Sequence, residues 1–237
     1  MPERSRRNLL RDDVYRRPLE TALDRLGVSD GWKCVDAGAG GGDVSVALAE
    51  IVGATGRIYS VDIDPVARDE VASRAAAYSQ VIAITQAAED LLLPEPVDLA
   101  FCRFLLMHVH DPLVVVCRMA SAVRPGGFVV AQEPVTSAGR IGGLPFSMEG
   151  ALHPDAGDVL PSLICRAGLE LVDCWAESPA WAGEGPVARY LERLTGVDPC
   201  DNPVILPPLV TAVGRVPENR PVDSQNRIPV ADRPTDW

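Results

Sequence analysis

Four glycines stand within five positions in Gly38-Ala39-Gly40-Gly41-Gly42, after Cys34-Val35-Asp36-Ala37 and before Asp43-Val44. Glycine accepts positive backbone angles and lets a ligand approach the main chain closely. Trp32 to Asp36 reads as a short buried strand, and Val44, Ala47, Leu48 and Ile51 recur at helical spacing before Gly53. A strand, a glycine loop and a helix in that order present backbone N–H groups beside a helix N-terminus, where they can hold an adenosyl or nucleotide ligand. A second strand, Arg57 to Val61, ends at Asp62, about 20 residues beyond the loop, where a carboxylate can accept both ribose hydroxyls.

The spacing separates two ligand classes. A dinucleotide fingerprint needs Gly-x-Gly-x-x-Gly, and from Gly38 and Gly40 its third glycine falls on Asp43. Asp36, Gly38, Gly40 and Gly42 instead form an acidic residue followed by alternating glycines. A fourth strand, Val97 to Cys102, leads into Arg103-Phe104-Leu105-Leu106-Met107-His108-Val109-His110-Asp111-Pro112, and Arg124-Pro125-Gly126-Gly127 turns the chain into a fifth strand from Phe128 to Ala131. This ordered set resembles class I S-adenosylmethionine-dependent methyltransferases, of the small-molecule, ubiquinone- and menaquinone-biosynthesis-like kind. The resemblance spans roughly residues 20 to 216 and is strongest before residue 135.

The resemblance implies an α/β fold: a Rossmann-like, doubly wound, seven-stranded sheet with an antiparallel last strand, its final two strands forming a hairpin, and an N-terminal helical lid. It implies S-adenosyl-L-methionine as cofactor, with Asp36 and the loop Gly38, Gly40 and Gly42 near the methionine end and Asp62 and Ile63 on the ribose side. Cys102 and Arg103 stand where the family's fourth strand meets the cofactor methionine, and a short helix after it carries His108. The family commonly has an Asp-Ala pair after the third strand, Val81 to Thr85; Ala87 stands in the aspartate's place, leaving the backbone of Ala88 and the side chains of Glu89 and Asp90 as adenine contacts.

The elements that must hold these residues follow from pattern. At 237 residues the chain fits one domain, or one domain with a lid: residues 1–30 as helical lid, 31–216 as cofactor-binding domain and 217–237 as an extended or disordered tail. Pro18 suits a first helical position ahead of Leu19, Ala22, Leu23 and Leu26, so one or two helices precede the first strand. Asp64-Pro65 and Asp111-Pro112 each pair a cap with a proline at the first helical position. Residues 136–153 are rich in Gly, Ser and Pro and read as a loop or small insertion over the site. Residues 158–167 can form a helix, 169–175 a sixth strand, 186–195 a helix and 209–216 the last strand.

Composition narrows the partners. The formal charge of −11 repels phosphate backbones, so nucleic acid is disfavoured, and the N-terminal arginines alternate with acids as on a solvated helix face. Six cysteines without a C-x-x-C pair read as reduced, buried small hydrophobes in a cytoplasmic protein. No apolar run reaches membrane-spanning length. The expected partner is a small-molecule acceptor, for a monomer or homodimer.

Methyl transfer from a sulfonium is an in-line displacement, so alignment and exclusion of water can carry it. A hydroxyl or ammonium acceptor also needs a base. Of His108, His110 and His153, the family match selects His108, with a packed histidine as the alternative. Glu133, at the end of the fifth strand, is a second candidate on the substrate side. No metal is expected: histidines two apart on a helix point in different directions, and the spacing fits no standard motif. His153 reads as solvated. Three functions stay open: small-molecule methyl transfer, as in secondary metabolism; a non-methylating cyclisation or rearrangement on the same fold and cofactor; and an NAD(P)-dependent oxidoreductase, penalised by Asp43.

Overall fold

The computed structural model describes residues 3–141, 144–145, 150–178, 180–181, 185–195 and 204–219. The chain begins with one long helix, α1 (Glu3–Leu26). Val14, Tyr15, Leu19, Ala22 and Leu23 are buried along one side of it. Pro18 lies inside this helix and does not start one. An interior proline costs a helix about 3 kcal/mol because it removes an N–H and crowds the preceding turn. Here the sheet bonds to the helix around it: Arg103 Nη1 donates to the Tyr15 carbonyl at 3.0 Å, and Gln132 Nε2 donates to the Pro18 carbonyl at 3.0 Å.

The chain then alternates: β1 (Lys33–Ala37), α2 (Asp43–Val52), β2 (Arg57–Asp62), α3 (Pro65–Arg74), β3 (Val81–Thr85), β4 (Val97–Arg103), α4 (Pro112–Ala122) and β5 (Val123–Pro134). Next come the short strands β6 (Arg140–Ile141) and β7 (Leu144–Pro145), then α5 (Ala156–Arg166) and β8 (Glu170–Glu177). Last are β9 (Ala180–Trp181), α6 (Pro186–Thr195), β10 (Val204–Ile205) and β11 (Leu209–Arg215). Both cap-plus-proline pairs form. Asp64 Oδ1 accepts from Val66 N at 2.8 Å, and Asp111 Oδ1 accepts from the N–H groups of Leu113 and Val114 at 3.0 and 3.2 Å.

The main sheet has the order β3-β2-β1-β4-β5-β11-β8, with β11 antiparallel to both neighbours. β1 pairs with β2 on one side and β4 on the other, so the crossover direction reverses there and opens a crevice beyond the strand ends. Side chains of α4 and α5 bury one face of the sheet, and those of α1 and α2 the other. The last two strands of this sheet, β8 and β11, are neighbours, but β9, α6 and β10 lie between them in the chain.

Arg124 to Gly127 is a bulge within β5, not a turn before it: the pairing steps from Val97 opposite Val123 to Leu99 opposite Phe128, and Gly126 takes φ 77° to make the excursion. The insertion after β5 contributes β6 and β7 to a second sheet of order β7-β6-β10-β9. Tail residues 220–237 lie outside the described residues.

The cysteines divide. Cys34, Cys102 and Cys117 are buried as expected, whereas Cys165 and Cys174 are exposed, each at an outward position of its helix or strand; Cys200 lies outside the described residues. Burial drives the Cys34 and Cys102 thiols far above their usual range, which suppresses the reactive thiolate. Alkylation of the folded protein at neutral pH should therefore label Cys165 and Cys174 and spare Cys34, Cys102 and Cys117, as read by peptide mass mapping.

Candidate active site

The glycine loop folds back onto the end of β2. Gly38 N and Ala39 N both donate to the Val61 carbonyl, at 2.8 and 2.9 Å, and Gly40 N donates to Asp62 Oδ2 at 2.8 Å. Asp62 Oδ1 accepts from Asp64 N at 2.9 Å, so one carboxylate ties the loop to the start of α3. Gly38 has φ 72°, and a Cβ there would come within 2.7 Å of Leu105 Cδ1. Gly38→Ala should cost about 1–2 kcal/mol from the left-handed backbone alone, with crowding added, read by denaturant unfolding.

Beside this loop lies a cavity of about 260 Å³ lined by Gly38, Asp62, Ile63, Gln86, Ala88, Glu89, Leu105, His108, Val109 and His110. Ile63 is 70% exposed, an apolar side chain at the rim beside the Asp62 carboxylate. Largely apolar walls with the Asp62 and Glu89 carboxylates among them fit a flat base attached to a diol-bearing sugar. Gly38, Asp62, Ile63, Ala88, Glu89 and His108 thus meet in one place.

His110 joins them, contrary to the helical expectation. The segment after β4 is a turn, with His108 N donating to the Leu105 carbonyl at 2.9 Å, and both histidines border the cavity. Asp90 is exposed and not among the lining residues. Gln86 was not singled out from sequence, yet it directly follows Thr85, the register partner of Asp62, and so emerges on the same sheet edge.

Asp36, Gly42, Cys102, Arg103 and Glu133 take other positions. Asp36 is buried beneath the loop, where Ser45 Oγ donates to its Oδ2 at 2.6 Å. Burial pushes its carboxyl up to about 6, against the Ser45 hydrogen bond and the Arg103 charge. Gly42 N caps the loop by donating to Ala39, and a Cβ on Gly42 would sit 3.1 Å from Val71 Cγ2, so this glycine serves loop and helix packing. Cys102 points into the core on the α4 and α5 side, as alternation along β4 demands. Arg103 pairs with Asp43 and bonds to the Tyr15 carbonyl, so its guanidinium is spent on protein groups.

Glu133 is the clearest correction. It is fully buried, and its Oε1 accepts from Leu105 N at 2.8 Å and Leu106 N at 2.7 Å, while Oε2 accepts from Met107 N at 3.3 Å. The carboxylate holds the turn after β4 and is not among the residues lining the cavity. Loss of water pushes it up to about 7 despite those three donors. His153 is half-buried, and its backbone N–H donates to the Met107 carbonyl at 3.0 Å, so its main chain braces the same turn. Trp175 lies under Arg25, 4.2 Å from ring centroid to guanidinium carbon, away from the cavity; the Trp181 side chain lies outside the described residues. Among the described residues no group of three or more His, Cys, Asp or Glu side chains is disposed to hold a metal ion, and no helix is long and apolar enough to cross a membrane.

With strand order, loop and cavity placed, comparison with known proteins finds a likeness over the same part of the chain. Residues 35–131 match the methyltransferase-domain family model. That span holds the glycine loop, Asp62, the whole cavity lining and the turn after β4. The chain is 32% identical over 115 residues to a demethylmenaquinone methyltransferase of Bacillus licheniformis, covering 48% of this chain and 50% of that protein. It therefore spans about half the length of the curated relatives it matches. Among solved structures, an S-adenosylmethionine-dependent methyltransferase from Aquifex aeolicus superposes with a TM-score of 0.54 at 14% identity, covering 81% of this chain and 88% of that one. The [4+2]-cyclase SpnF superposes with a TM-score of 0.59 at 19% identity, covering 85% and 80%. The methyltransferase fold extends well past residue 131, whereas the sequence similarity is concentrated in the first five strands.

Proposed function

We propose that the protein transfers a methyl group from S-adenosylmethionine to a small-molecule acceptor, in the cytoplasm. The observation that carries this reading is the Asp62 carboxylate, held against the glycine loop at the edge of the cavity. Asp43 opens α2 where a dinucleotide protein needs its third glycine, but its charge is met by Arg103, and Asp36 is buried beneath the loop. A pyrophosphate at the start of α2 would lack the close approach of that third glycine and would meet Asp62, whereas adenosine attached to a cationic sulfonium is favoured by the carboxylate. When bound, that cofactor supplies an electrophilic methyl group and leaves as a neutral thioether.

The protein's own part is orientation. Asp62 retains lone pairs beyond those used by Gly40 N and Asp64 N, enough to accept ribose hydroxyls. Ile63, Ala88 and Leu105 provide apolar faces for the base, and Glu89 and Gln86 provide polar atoms at its edge. His108 borders this same cavity with Asp62 and Ile63, which supports a cofactor contact ahead of proton removal from the acceptor. The relatives named for menaquinone biosynthesis support a neutral, ring-bearing acceptor. Residues 1–30 act as a lid in this reading, since α1 is bonded to the end of β4 through Arg103.

A second reading keeps the cofactor and drops the methyl transfer; the likeness in fold to a [4+2]-cyclase supports it, since one fold can carry different chemistries. Calorimetric titration with S-adenosylhomocysteine, alongside NADH and NADPH, tests the cofactor class. Binding of S-adenosylhomocysteine alone supports both readings, and binding of a nicotinamide nucleotide alone overturns them. Mass analysis of candidate acceptors then separates the two, because a methylated product removes the non-methylating one.

A further inference from the structure

Three elements of different origin converge on Arg103. It is the last residue of β4, and its side chain is only 2% exposed. The guanidinium pairs with Asp43, the first residue of α2, whose side chain is 9% exposed. Its Nη1 also donates to the Tyr15 carbonyl of α1 at 3.0 Å. A buried ion pair is costly to form unless its remaining donors are used, and here one of them reaches the main chain of the N-terminal helix. Arginine alone among cations has the planar fork to serve two such partners at once.

The surroundings lock the same junction. The Tyr15 ring stands edge-on to Phe104 at 4.9 Å and to Tyr190 of α6 at 6.5 Å. Phe104 has φ 54°, the sole non-glycine residue with positive φ among the described residues, and its N–H is held by the Gln132 carbonyl at 3.0 Å. Backbone strain of this kind persists only where neighbours over-determine it. Gln132 Nε2 in turn bonds to the Pro18 carbonyl and to Thr211 Oγ1, so α1 is fastened at two carbonyls, three residues apart, by side chains from two adjacent strands.

We infer that Arg103 is a positioning residue that registers the N-terminal helix against the glycine loop, so that lid and cofactor loop move as one unit. Asp43 is not a flaw in a glycine motif but the loop's half of this latch. The inference rests on the cofactor reading given above for its functional consequence, while the latch itself is a property of the unliganded protein. Opening α1 breaks the Arg103 to Tyr15 bond and loosens the ion pair at the start of α2, and a ligand seated on the loop keeps both closed.

Arg103→Lys tests this directly. A lysine keeps one charge for Asp43 but lacks the fork that also reaches Tyr15. In the unliganded protein, tryptic cleavage after the exposed Arg16 should accelerate about tenfold, the effect of losing one charge-assisted hydrogen bond on local opening. With S-adenosylhomocysteine bound, the dissociation rate should rise by about the same factor while the association rate changes little, a kinetic split that a merely structural bond would not produce. If Arg103→Lys does not fold, Arg103→Met combined with Asp43→Leu removes both charges without stranding either, and the same two rates are read. Unchanged cleavage in a folded variant overturns the latch. Faster cleavage with an unchanged dissociation rate overturns the coupling to the loop. Wild type that does not bind S-adenosylhomocysteine sinks the cofactor reading, and with it the coupling, while the cleavage arm still decides the latch.

Discussion

Glu133→Ala should lower the unfolding free energy by about 3–5 kcal/mol, the largest stability loss expected from a single substitution at this site. The carboxylate accepts three consecutive backbone N–H groups, from Leu105, Leu106 and Met107. Leu106 and Met107 are fully buried, so no solvent replaces the missing acceptor. For a chain of this size that loss corresponds to a melting temperature lower by about 10 °C. Leu105 and His108 belong to the same turn, so the cavity should loosen with it.

Glu133→Gln isolates the charge. Its oxygen can still accept from Leu105 and Leu106, and the milder loss should depend on pH. The folded carboxyl keeps its proton up to about 7, while the ordinary value is 4.5. Between those values the folded state binds more protons than the unfolded state, so this group's contribution is full below 4.5 and is lost as pH rises through about 7. The stability gap between wild type and Glu133→Gln should therefore be wider at pH 5 than at pH 8. Urea unfolding at the two pH values measures it, and a gap that widens toward pH 8 would contradict the assignment. Asp36, raised from 3.8 to about 6, tilts the wild type in the same direction at somewhat lower pH.

Asp62→Ala should weaken S-adenosylhomocysteine binding by at least about 1–3 kcal/mol, the value of a charge-assisted hydrogen bond to the ligand. The structure adds a second loss. Asp62 also fixes Gly40 N and Asp64 N, so alanine releases the loop as well as removing the ribose acceptor. Calorimetry on Asp62→Ala and Asp62→Asn separates the two, because asparagine retains an oxygen for Gly40 N but only one acceptor in all. Affinity unchanged in both variants would remove Asp62 from the site.

What could be read along the chain was what is decided locally. Asp64-Pro65 and Asp111-Pro112 bond to N–H groups two or three residues on, so residue type and spacing determine them. The strand, loop and helix from Lys33 to Val52 form for the same reason, and Asp62 lands beside the loop because β2 must pair with β1. Glu133 was legible as a residue at the right sheet edge but not in its direction: its partners lie 26 to 28 residues away, on a turn whose shape depends on Glu133 itself. Arg103 was legible in the same way as the end of β4, but its bond to Tyr15 spans 88 residues and no periodicity records it. Pro18 misled because local propensity makes it a start, while tertiary bonds to α1 let the helix run through it.

The small sheet β7-β6-β10-β9 joins two stretches of chain that are far apart in sequence, one inserted after β5 and the other between β8 and β11. Val204 of β10 shares a buried cluster with Tyr15 and Phe104, at the junction of α1 and the end of β4. β10 is hydrogen-bonded to β6 from the first insertion and to β9 from the second, so neither insertion completes the sheet alone. The two insertions must therefore match each other for this sheet to form, whereas β1 to β5 pair without either. A chimera that grafts one insertion from a homologue should misassemble there, and a graft of both should restore the sheet.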